Sequence, residues 1–534
     1  MSSAHCLQPA ARPFVDWVGG EAALPGGAGQ IEAFHERIGR VAACDPGRIA
    51  IDDGQVQFTY AELVSRARAV AEIVAAEVPR GGAVAILMPP SAMVVPVLLG
   101  CLAAGRTSLV LDFHHPRARN AAILRSAGAV AVLVADASAA DWVCGPGIRL
   151  VVVGEGARPV QGDCTMAWIG PDETALVVLF TSGSTGLPKG IVNTWRSVLH
   201  RAELHVAACD LRPADEVLLL SSPGTIAGVR DILAALSVGA GLHLTDPRRA
   251  GLRELRMLLR EQRITVLYTV PALIRSLVGV DEGTEDFASL RAVRLGGDRV
   301  FWSDVTLLRG VLGRDAVIYV GYGSTEAVAM HWIVPAEMVP EGATVPVGYP
   351  VPGVEWAIVE EDGFATPNGA VGELLLRGSD VALGLWEAGR CVPSYNLSSS
   401  DEAGRRVLVT GDMARLRPDG LFEIAGRRDR QVKIMGQRVE PAELEAVLLG
   451  VAGVADAAVI ARRVGGRSSL VAFVAANQTE TEGVVAAVRA RVRAALPSSL
   501  QPARIHLLGS IPRLPGAKVD VVALEACDDE HRAG

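Results

Sequence analysis

Short apolar runs alternate with amphipathic segments along this 534-residue chain, most clearly from Ala83 to Gly323. Uninterrupted apolar runs are typical of strands buried on both faces, and segments with helical spacing lie between them. Because strands separated by helices form βαβ units, the pattern predicts an α/β fold with doubly wound, mostly parallel sheets. The predicted strands are Val84–Met88, Ser108–Asp112, Val130–Ala135, Leu150–Val153, Leu176–Phe180, Val217–Leu220, Ile264–Val270, Val293–Leu295 and Val317–Val320. The predicted helices are Ala118–Ala127, Arg196–Cys209, Val229–Val238 and Leu255–Glu261.

The pattern changes after this region. Short strands interrupted by Gly, Pro and Asp follow over residues 345–426, which predicts a small antiparallel barrel or meander. Two helices and two strands in the last hundred residues predict a small α+β domain. We therefore expect a large N-terminal domain over residues 1–427, with 345–426 as a β-rich subdomain, and a small C-terminal domain over 428–534.

Composition excludes several classes of function. The formal net charge is −8, whereas a nucleic-acid-binding protein needs a basic surface to replace phosphate counterions. The eight cysteines are scattered without metal-ligand spacing, as in a reduced cytoplasmic protein. The uncharged stretch Gly81–Gly105 is long enough to span a bilayer, but prolines interrupt it and a buried strand and helix explain it better. We expect a cytoplasmic protein that binds neither nucleic acid nor membrane.

A loop rich in glycine and hydroxyl residues follows the predicted strand Leu176–Phe180. Residues 179–190 read Leu-Phe-Thr-Ser-Gly-Ser-Thr-Gly-Leu-Pro-Lys-Gly, so backbone N–H groups, hydroxyls and Lys189 can surround anionic oxygens. The loop differs from an NTPase P-loop, in which the lysine stands between Gly and Ser or Thr. A flexible surface turn is the alternative, but it does not explain the hydroxyls together with the lysine. We interpret the loop as a phosphate-binding site.

Four further motifs come at strand ends or in loops. Gly321-Tyr-Gly-Ser-Thr-Glu326 and Leu295-Gly-Gly-Asp298 each follow a predicted strand, where ligands bind in open parallel sheets. Thr410-Gly-Asp412 precedes a turn, and Ala517-Lys-Val-Asp520 lies close to the end of the sequence. Each of these motifs alone is compatible with an ordinary turn or a solvated loop. Only three of the 51 basic residues other than histidine are lysines, and all three lie in glycine-bearing loops: Lys189, Lys433 and Lys518.

Taken together and in this order, these motifs resemble the adenylate-forming superfamily of acyl-CoA synthetases, luciferases and adenylation domains of nonribosomal peptide synthetases (NRPSs). The resemblance extends from Phe58-Thr-Tyr-Ala-Glu-Leu63 to Lys518. It is closest to freestanding NRPS adenylation domains, because residues 431–440 and 517–520 match the sequence motifs of that branch. The resemblance implies a large N-terminal domain and a small, mobile C-terminal domain. It also implies that a carboxylate attacks the α-phosphorus of ATP, which releases pyrophosphate and leaves an acyl-AMP.

The resemblance also implies roles for individual residues. Catalysis would depend on Thr325 at the α-phosphate, on Glu326 as the Mg²⁺ ligand, and on Lys518 between the substrate carboxylate and the α-phosphate. The C-terminal domain would rotate about Asp429 and bring in a thiol-transfer face at Lys433 and Gly436. The residues that would surround ATP are Thr181, Ser182, Gly183, Ser184, Thr185 and Lys189 at the phosphates, Gly296, Gly297, Asp298, Gly321, Tyr322 and Gly323 at adenine, and Asp412 and Arg427 at ribose.

The sequence departs from the family pattern in informative places. Trp195 replaces the histidine that follows the lysine loop, and Ala517 replaces the glycine before the catalytic lysine. Ile226 stands where α-amino-acid-activating members have an aspartate for the substrate ammonium, so an ordinary α-amino acid is disfavoured. The acyl pocket would be lined by Ile226, Ala227, Arg230, Thr269, Arg294, Ala329 and Met330. The two arginines in this pocket suggest that the substrate has a second anionic group. Alternatively, one or both arginine side chains point outward and form ion pairs.

We therefore expect ATP-dependent activation of a carboxylic acid, followed by transfer to the phosphopantetheine thiol of a separate carrier protein. An acyl-CoA ligase that uses free CoA is the first alternative, and it differs only in the thiol. A non-catalytic nucleotide-binding relative is the second, because of Trp195 and Ala517. These motifs identify neither the substrate acid nor the carrier protein.

Overall fold

Strands and helices alternate through most of the chain in the computed structural model. It describes residues 17–19, 29–136, 142–143, 147–154, 176–181, 188–280, 283–338, 341–342, 344–360, 369–394, 397–398, 401, 404–428, 432–464, 467–476, 483–512 and 519–533. The helices of these residues are α1 Gly29–Cys44, α2 Tyr60–Glu77, α3 Val94–Ala103, α4 Arg117–Ala127, α5 Trp195–Cys209, α6 Ile226–Val238, α7 Leu252–Glu261, α8 Pro271–Val278, α9 Trp302–Arg309, α10 Pro441–Leu449, α11 Val484–Ala495 and α12 Val521–Ala533.

The strands of the described residues follow the same order. The first half of the chain contains β1 Val18–Gly19, β2 Ile49–Asp52, β3 Gln57–Thr59, β4 Ala83–Ile86, β5 Thr107–Val110, β6 Ala129–Val134, β7 Arg149–Val152, β8 Leu176–Thr181, β9 Lys189–Thr194, β10 Glu216–Leu219, β11 Gly241–Leu244, β12 Val266–Thr269 and β13 Ala292–Leu295. The second half contains β14 Val317–Gly323, β15 Val328–Ile333, β16 Tyr349–Pro350, β17 Glu355–Val359, β18 Gly372–Gly378, β19 Gly384–Glu387, β20 Arg390–Val392, β21 Arg406–Leu416, β22 Phe422–Arg427, β23 Val432–Ile434, β24 Gln437–Val439, β25 Val454–Val464, β26 Arg467–Ala476 and β27 Arg504–Leu508.

Two large sheets form the α/β part of the fold. A nine-stranded sheet has the order β16-β15-β14-β13-β12-β10-β11-β2-β3, and an eight-stranded sheet has the order β20-β19-β9-β8-β5-β4-β6-β7. Their central strands run parallel and are buried on both faces, as the apolar runs predict. Antiparallel strands extend both sheets at their edges, among them β15 and β19. The α/β fold class with doubly wound sheets is confirmed.

The β-rich segment after residue 345 forms most of a five-stranded antiparallel sheet in the order β1-β17-β18-β21-β22. Strand β1 reaches this sheet from the N-terminal part of the chain and pairs Val18 with Trp356. Strands β19 and β20 lie in the same segment of sequence but belong to the eight-stranded sheet. The segment is therefore shared between two sheets, a division that the sequence pattern did not indicate.

The uncharged stretch Gly81–Gly105 folds as strand β4 and helix α3, and every residue of both is buried. Pro96 lies in the first turn of α3, where the missing N–H group has no intrahelical partner to lose. No helix in the described part of the chain combines the length and the apolar character needed to cross a membrane.

The chain divides into two compact units, of which the second comprises His114–Ile123, Thr181–Lys189 and Asp429–Gly534. In this second unit, a three-stranded sheet in the order β25-β26-β27 packs against α10 and α11 through an apolar core. A buried ion pair between Arg119 and Glu443 joins two of its segments. The α+β character predicted for the C-terminal region is present in the structure.

Candidate active site

The carboxyl ends of neighbouring parallel strands bring two of the glycine motifs together in the first unit. In the sheet register, Thr269 of β12 lies opposite Leu295 of β13, and Leu295 lies opposite Val320 of β14. A Cβ atom at Gly296 would lie 3.2 Å from the carbonyl oxygen of Gly321. Thus the Gly296-Gly297-Asp298 turn and the Gly321-Tyr322-Gly323 segment occupy the same edge of the sheet, where open α/β sheets bind ligands.

A tyrosine, a carboxylate and an arginine meet near this edge. The Tyr322 hydroxyl donates to Oδ2 of Asp412, and Arg427 donates to Oδ1 at 2.8 Å. Asp412 and Arg427 are directly opposite each other on β21 and β22. Burial and the neighbouring Asp412 raise the pKa of Tyr322 well above its usual value, so the hydroxyl stays protonated and remains a donor. Three residues expected at adenine and ribose, from strands distant in sequence, are therefore in one cluster.

The Ser324-Thr325-Glu326 turn is held by an arginine that the motifs did not identify. Arg201, on α5, donates at 3.2 Å to the carbonyl oxygens of both Ser324 and Thr325. It also donates at 3.2 Å to the side-chain oxygen of Asn193. Arg201 is buried, and the Glu326 carboxylate is near enough to act on its charge. This contact fixes the turn that carries Thr325 and Glu326.

Glu326 has the character of a magnesium ligand. Its carboxylate is buried beside the hydroxyl residues of the turn, and its backbone N–H donates a 3.2 Å hydrogen bond to the Ser324 hydroxyl oxygen. No cluster of three or more His, Cys, Asp or Glu side chains suited to a metal exists in the described residues. A single carboxylate fits Mg²⁺, which is usually held by one or two carboxylates together with substrate phosphates and water.

The two arginines assigned to the acyl pocket belong to a buried group that we call the arginine cluster: His205, Arg230, Asp231, Tyr268 and Arg294. Arg230 donates to Asp231 at 2.6 and 2.8 Å, and its guanidinium lies 4.3 Å from the centre of the Tyr268 ring. The Arg294 guanidinium donates to Nδ1 of His205 at 2.8 Å and lies 6.0 Å from the same ring centre. Neither arginine points outward: the exposed fraction is 12% for the Arg230 side chain and 7% for Arg294.

The remaining residues assigned to the acyl pocket are mostly apolar. Ile226 and Ala227 begin helix α6, which is capped by a hydrogen bond from the Gly228 N–H to the Thr225 hydroxyl. Ala329 and Met330 are fully buried on β15, and Met330 lies opposite Tyr322. On strands β14 and β15, a residue predicted to line the acyl pocket is therefore directly opposite a residue predicted to contact adenine.

Several predicted residues lie outside the described part of the chain, and for these the sequence predictions stand as made. They are Ser182, Gly183, Ser184, Thr185, Asp429 and Lys518. Thr181 ends β8 and Lys189 begins β9, on either side of the glycine-rich loop. In the second unit, Lys433 lies on β23, and Gly436 has a φ of +77° in the turn before β24, a conformation that favours glycine.

The sequence reasoning missed Arg201, His205 and Asp231. Arg201 and His205 are four residues apart, so they lie on the same face of α5, and both are buried. The sequence pattern predicts an amphipathic helix, whose polar residues would face solvent. Buried polar residues such as these need hydrogen-bonding partners instead. Trp195, the substitution for the family's histidine, is fully buried at the start of α5 and packs into the main apolar core.

Comparison with known proteins agrees with this geometry. The model of the AMP-binding enzyme family matches residues 38–386, and that of the AMP-binding enzyme C-terminal domain matches residues 443–518. The nonribosomal peptide synthetase CymA of Salinispora arenicola is 31% identical over 508 residues, which are 94% of this chain and 6% of CymA. The phenyloxazoline synthase MbtB of Mycolicibacterium paratuberculosis is 33% identical over 457 residues, which are 84% of this chain and 38% of MbtB. The chain thus spans less than half the length of these relatives.

A solved structure has the same fold. It is an artificially fused adenylation–PCP di-domain NRPS, NpsA-ThdA, from Klebsiella oxytoca. Its TM-score is 0.76 at 23% identity, and the match covers 88% of this chain and 93% of that one. The match of the family model over most of the chain, together with the relatives above 30% identity, shows that this chain belongs to the AMP-binding enzyme family and is an adenylate-forming ligase.

Proposed function

We propose that this enzyme activates a carboxylic acid with ATP and passes the acyl group to the phosphopantetheine thiol of a separate carrier protein. In the first step, a carboxylate oxygen bonds to the α-phosphorus of ATP. The bond from that phosphorus to the bridging oxygen breaks, and pyrophosphate leaves. In the second step, the thiol sulfur bonds to the acyl carbon, the thiol proton is lost and AMP leaves.

The observation that carries this proposal is the cluster of Tyr322, from the nine-stranded sheet, with Asp412 and Arg427, from the five-stranded sheet. Arg427 forms an ion pair with Asp412, and a carboxylate held in this way can accept hydrogen bonds from both hydroxyls of a ribose. The tyrosine ring beside it offers a flat surface for a base. The Ser324–Glu326 turn begins only two residues after Tyr322, so the nucleotide's phosphates would be directed toward Thr325 and Glu326.

The chemistry asked of these residues is mainly positioning and charge stabilisation. Magnesium, when bound at Glu326, would neutralise phosphate charge. Thr325 would donate to the α-phosphate, and Lys189 and Lys518 would supply positive charge at the phosphates and the reacting carboxylate. Arg201 contributes indirectly, because it holds the carbonyl groups of the turn in place.

A carrier-bound acceptor is favoured by the similar proteins, since CymA is named as a nonribosomal peptide synthetase and NpsA-ThdA fuses an adenylation domain to a PCP. Free CoA is the second candidate, because the motifs on which the proposal depends are shared with acyl-CoA synthetases. The reacting thiol group is the same in both acceptors, which differ only in whether a carrier protein or CoA carries it.

The test is carboxylate-dependent exchange of radiolabelled pyrophosphate into ATP over a panel of amino, aryl, keto and dicarboxylic acids. We expect at least one acid to support exchange, and Asp412→Asn to weaken it. Adding CoA or a phosphopantetheinylated carrier protein to the acyl-AMP then identifies the acceptor. If no acid in a broad panel supports exchange by folded protein, the proposal is wrong.

A further inference from the structure

The arginine cluster contains more positive than negative charge. Arg230 forms an ion pair with Asp231, but among the described residues no carboxylate lies within ion-pair distance of Arg294. Apart from Asp231, which already pairs with Arg230, two titratable groups near Arg294 are neutral: burial raises the pKa of the Cys209 thiol to about 11, and burial lowers the pKa of His331. A buried cation without an anion is costly, so an unpaired guanidinium at this depth requires an explanation.

The histidine in the cluster cannot supply the missing negative charge. Its Nδ1 accepts a hydrogen bond from Arg294 at 2.8 Å and must therefore carry no proton. Its Nε2, which then carries the proton, lies 3.5 Å from the Asp231 carboxylate. Burial, together with the Arg230 and Arg294 charges, holds the pKa of His205 well below its usual value. His205 is thus a neutral link that orients Arg294, and the only carboxylate among the described residues that acts on the charge of Arg294 is Asp231, which is already paired with Arg230.

The position of Arg294 places that charge inside the predicted acyl site. A Cβ atom at Gly321 would lie 2.7 Å from Nη2 of Arg294, so the guanidinium lies directly over the glycine next to Tyr322. A side chain at position 321 would have to displace the guanidinium from this place. His205 is one helical turn from Arg201, which holds the Ser324–Glu326 turn. The same face of α5 therefore fixes both the turn expected at the reacting phosphate and the orientation of Arg294.

We infer that the acid activated by this enzyme carries a second carboxylate, which binds to Arg294 beside Arg230. The inference rests on the proposed function and specifies its substrate class. A carboxylate can accept two parallel hydrogen bonds from the planar guanidinium, which is the strongest pairing available to it. An α-amino acid without an acidic side chain would place an ammonium near two guanidinium groups, and Ile226 gives it no compensating carboxylate. A monocarboxylic acid would leave Arg294 buried without an anion.

The test compares acids that match in length but differ in the second group. Succinate, glutarate, adipate and isophthalate are each compared with their monoamide and with the corresponding monocarboxylic acid in the pyrophosphate exchange assay. We expect kcat/KM for the preferred dicarboxylate to exceed that of its monoamide by about 100-fold, because a polar site rejects a substrate that leaves its groups unpaired. In Arg294→Met the ratio should fall at least about tenfold, and Arg294→Lys should retain part of it.

Arg291→Met is the matched control. Arg291 immediately precedes the same strand β13, at its opposite end, and forms an ion pair with Asp215. This variant should melt at a lower temperature, but its ratio of kcat/KM for the dicarboxylate to kcat/KM for the monoamide should not change. Thermal denaturation of each variant identifies loss of folding, and titration calorimetry measures binding of the dicarboxylate without turnover.

A wild-type enzyme that prefers monoamides or monocarboxylic acids would overturn the inference, as would an unchanged ratio in folded Arg294→Met. If no acid supports exchange, the proposed function fails. Calorimetry would then decide the inference separately, since dicarboxylate binding should weaken at least about tenfold in Arg294→Met.

Discussion

Replacing Arg201 by methionine should damage activity more than a comparable loss of stability can explain. The methionine side chain is unbranched and apolar like the stem of the arginine that it replaces, but it cannot donate hydrogen bonds. It would leave the carbonyl oxygens of Ser324 and Thr325, and the side-chain oxygen of Asn193, without the donor that now serves all three. The turn that carries Glu326 would lose its attachment to α5.

The size of the effect follows from two opposing contributions. Three hydrogen bonds from a charged donor contribute about 6 kcal/mol at about 2 kcal/mol each. Burial lowers the pKa of Arg201 to about 10, which corresponds to about 3 kcal/mol against the charged form. The remainder is about 3 kcal/mol, so we expect kcat/KM for exchange to fall between about 10-fold and 100-fold as the turn moves.

The assay is pyrophosphate exchange, together with thermal denaturation of each variant. Arg256→Met is the matched control, because Arg256, on α7, is equally buried but pairs with Asp286, and neither residue is a predicted site residue. Both variants should melt at lower temperature, but only Arg201→Met should lose kcat/KM in the folded state. If the two variants lose stability alike and both keep wild-type kcat/KM, Arg201 has no role in positioning the turn.

Three other predictions concern the nucleotide, the metal and the C-terminal unit. Asp412→Asn should raise KM for ATP at least about tenfold, measured by ATP titration of exchange, because a charged acceptor is lost, whereas Tyr322→Phe should have a smaller effect. Glu326→Gln should raise the Mg²⁺ concentration for half-maximal exchange, measured by magnesium titration. Against the effect of burial, hydrogen bonds from Arg504 and His506 lower the pKa of Asp528 to about 2. The resulting stabilisation of about 2 kcal/mol should be complete above about pH 5 and lost as the pH falls toward 2, and Asp528→Asn should remove this dependence in denaturant titrations.

Many strands of the α/β region could be predicted because their apolar residues are contiguous in sequence, and several helices could be predicted from the spacing of theirs, but β11 and α8 were missed. For example, the apolar run Val217–Leu220 corresponds to β10, and Arg196–Cys209 corresponds to α5. The antiparallel edge strands were missed. Strand β15 contains a histidine and a tryptophan and directly follows a motif, so it lacks the plain apolar pattern of a buried strand.

The candidate site could be predicted only where its residues form short motifs. Gly321–Glu326 is such a motif, and its place at a strand end follows from the strand before it. The contact between Tyr322 and Asp412 joins residues 90 positions apart, and no local pattern contains that information. Arg201 and His205 were missed for a different reason: their partners lie on segments distant in sequence, so the pattern of an amphipathic helix does not show what they bind.

The last prediction concerns Ile226, which the family resemblance predicts to stand in place of the aspartate of α-amino-acid-activating members. Ile226→Asp alone should not create amino-acid activation, because Arg230 lies one turn further along α6 and would pair with the new carboxylate. Asp231 already pairs with Arg230, so the two acids would share one guanidinium and offer little negative charge to a substrate ammonium. The double variant with Arg230→Met should leave the new aspartate available and support exchange with neutral α-amino acids. Exchange by the single variant would show that Arg230 does not reach position 226, and failure of the folded double variant would show that Arg294 alone is enough to repel an ammonium.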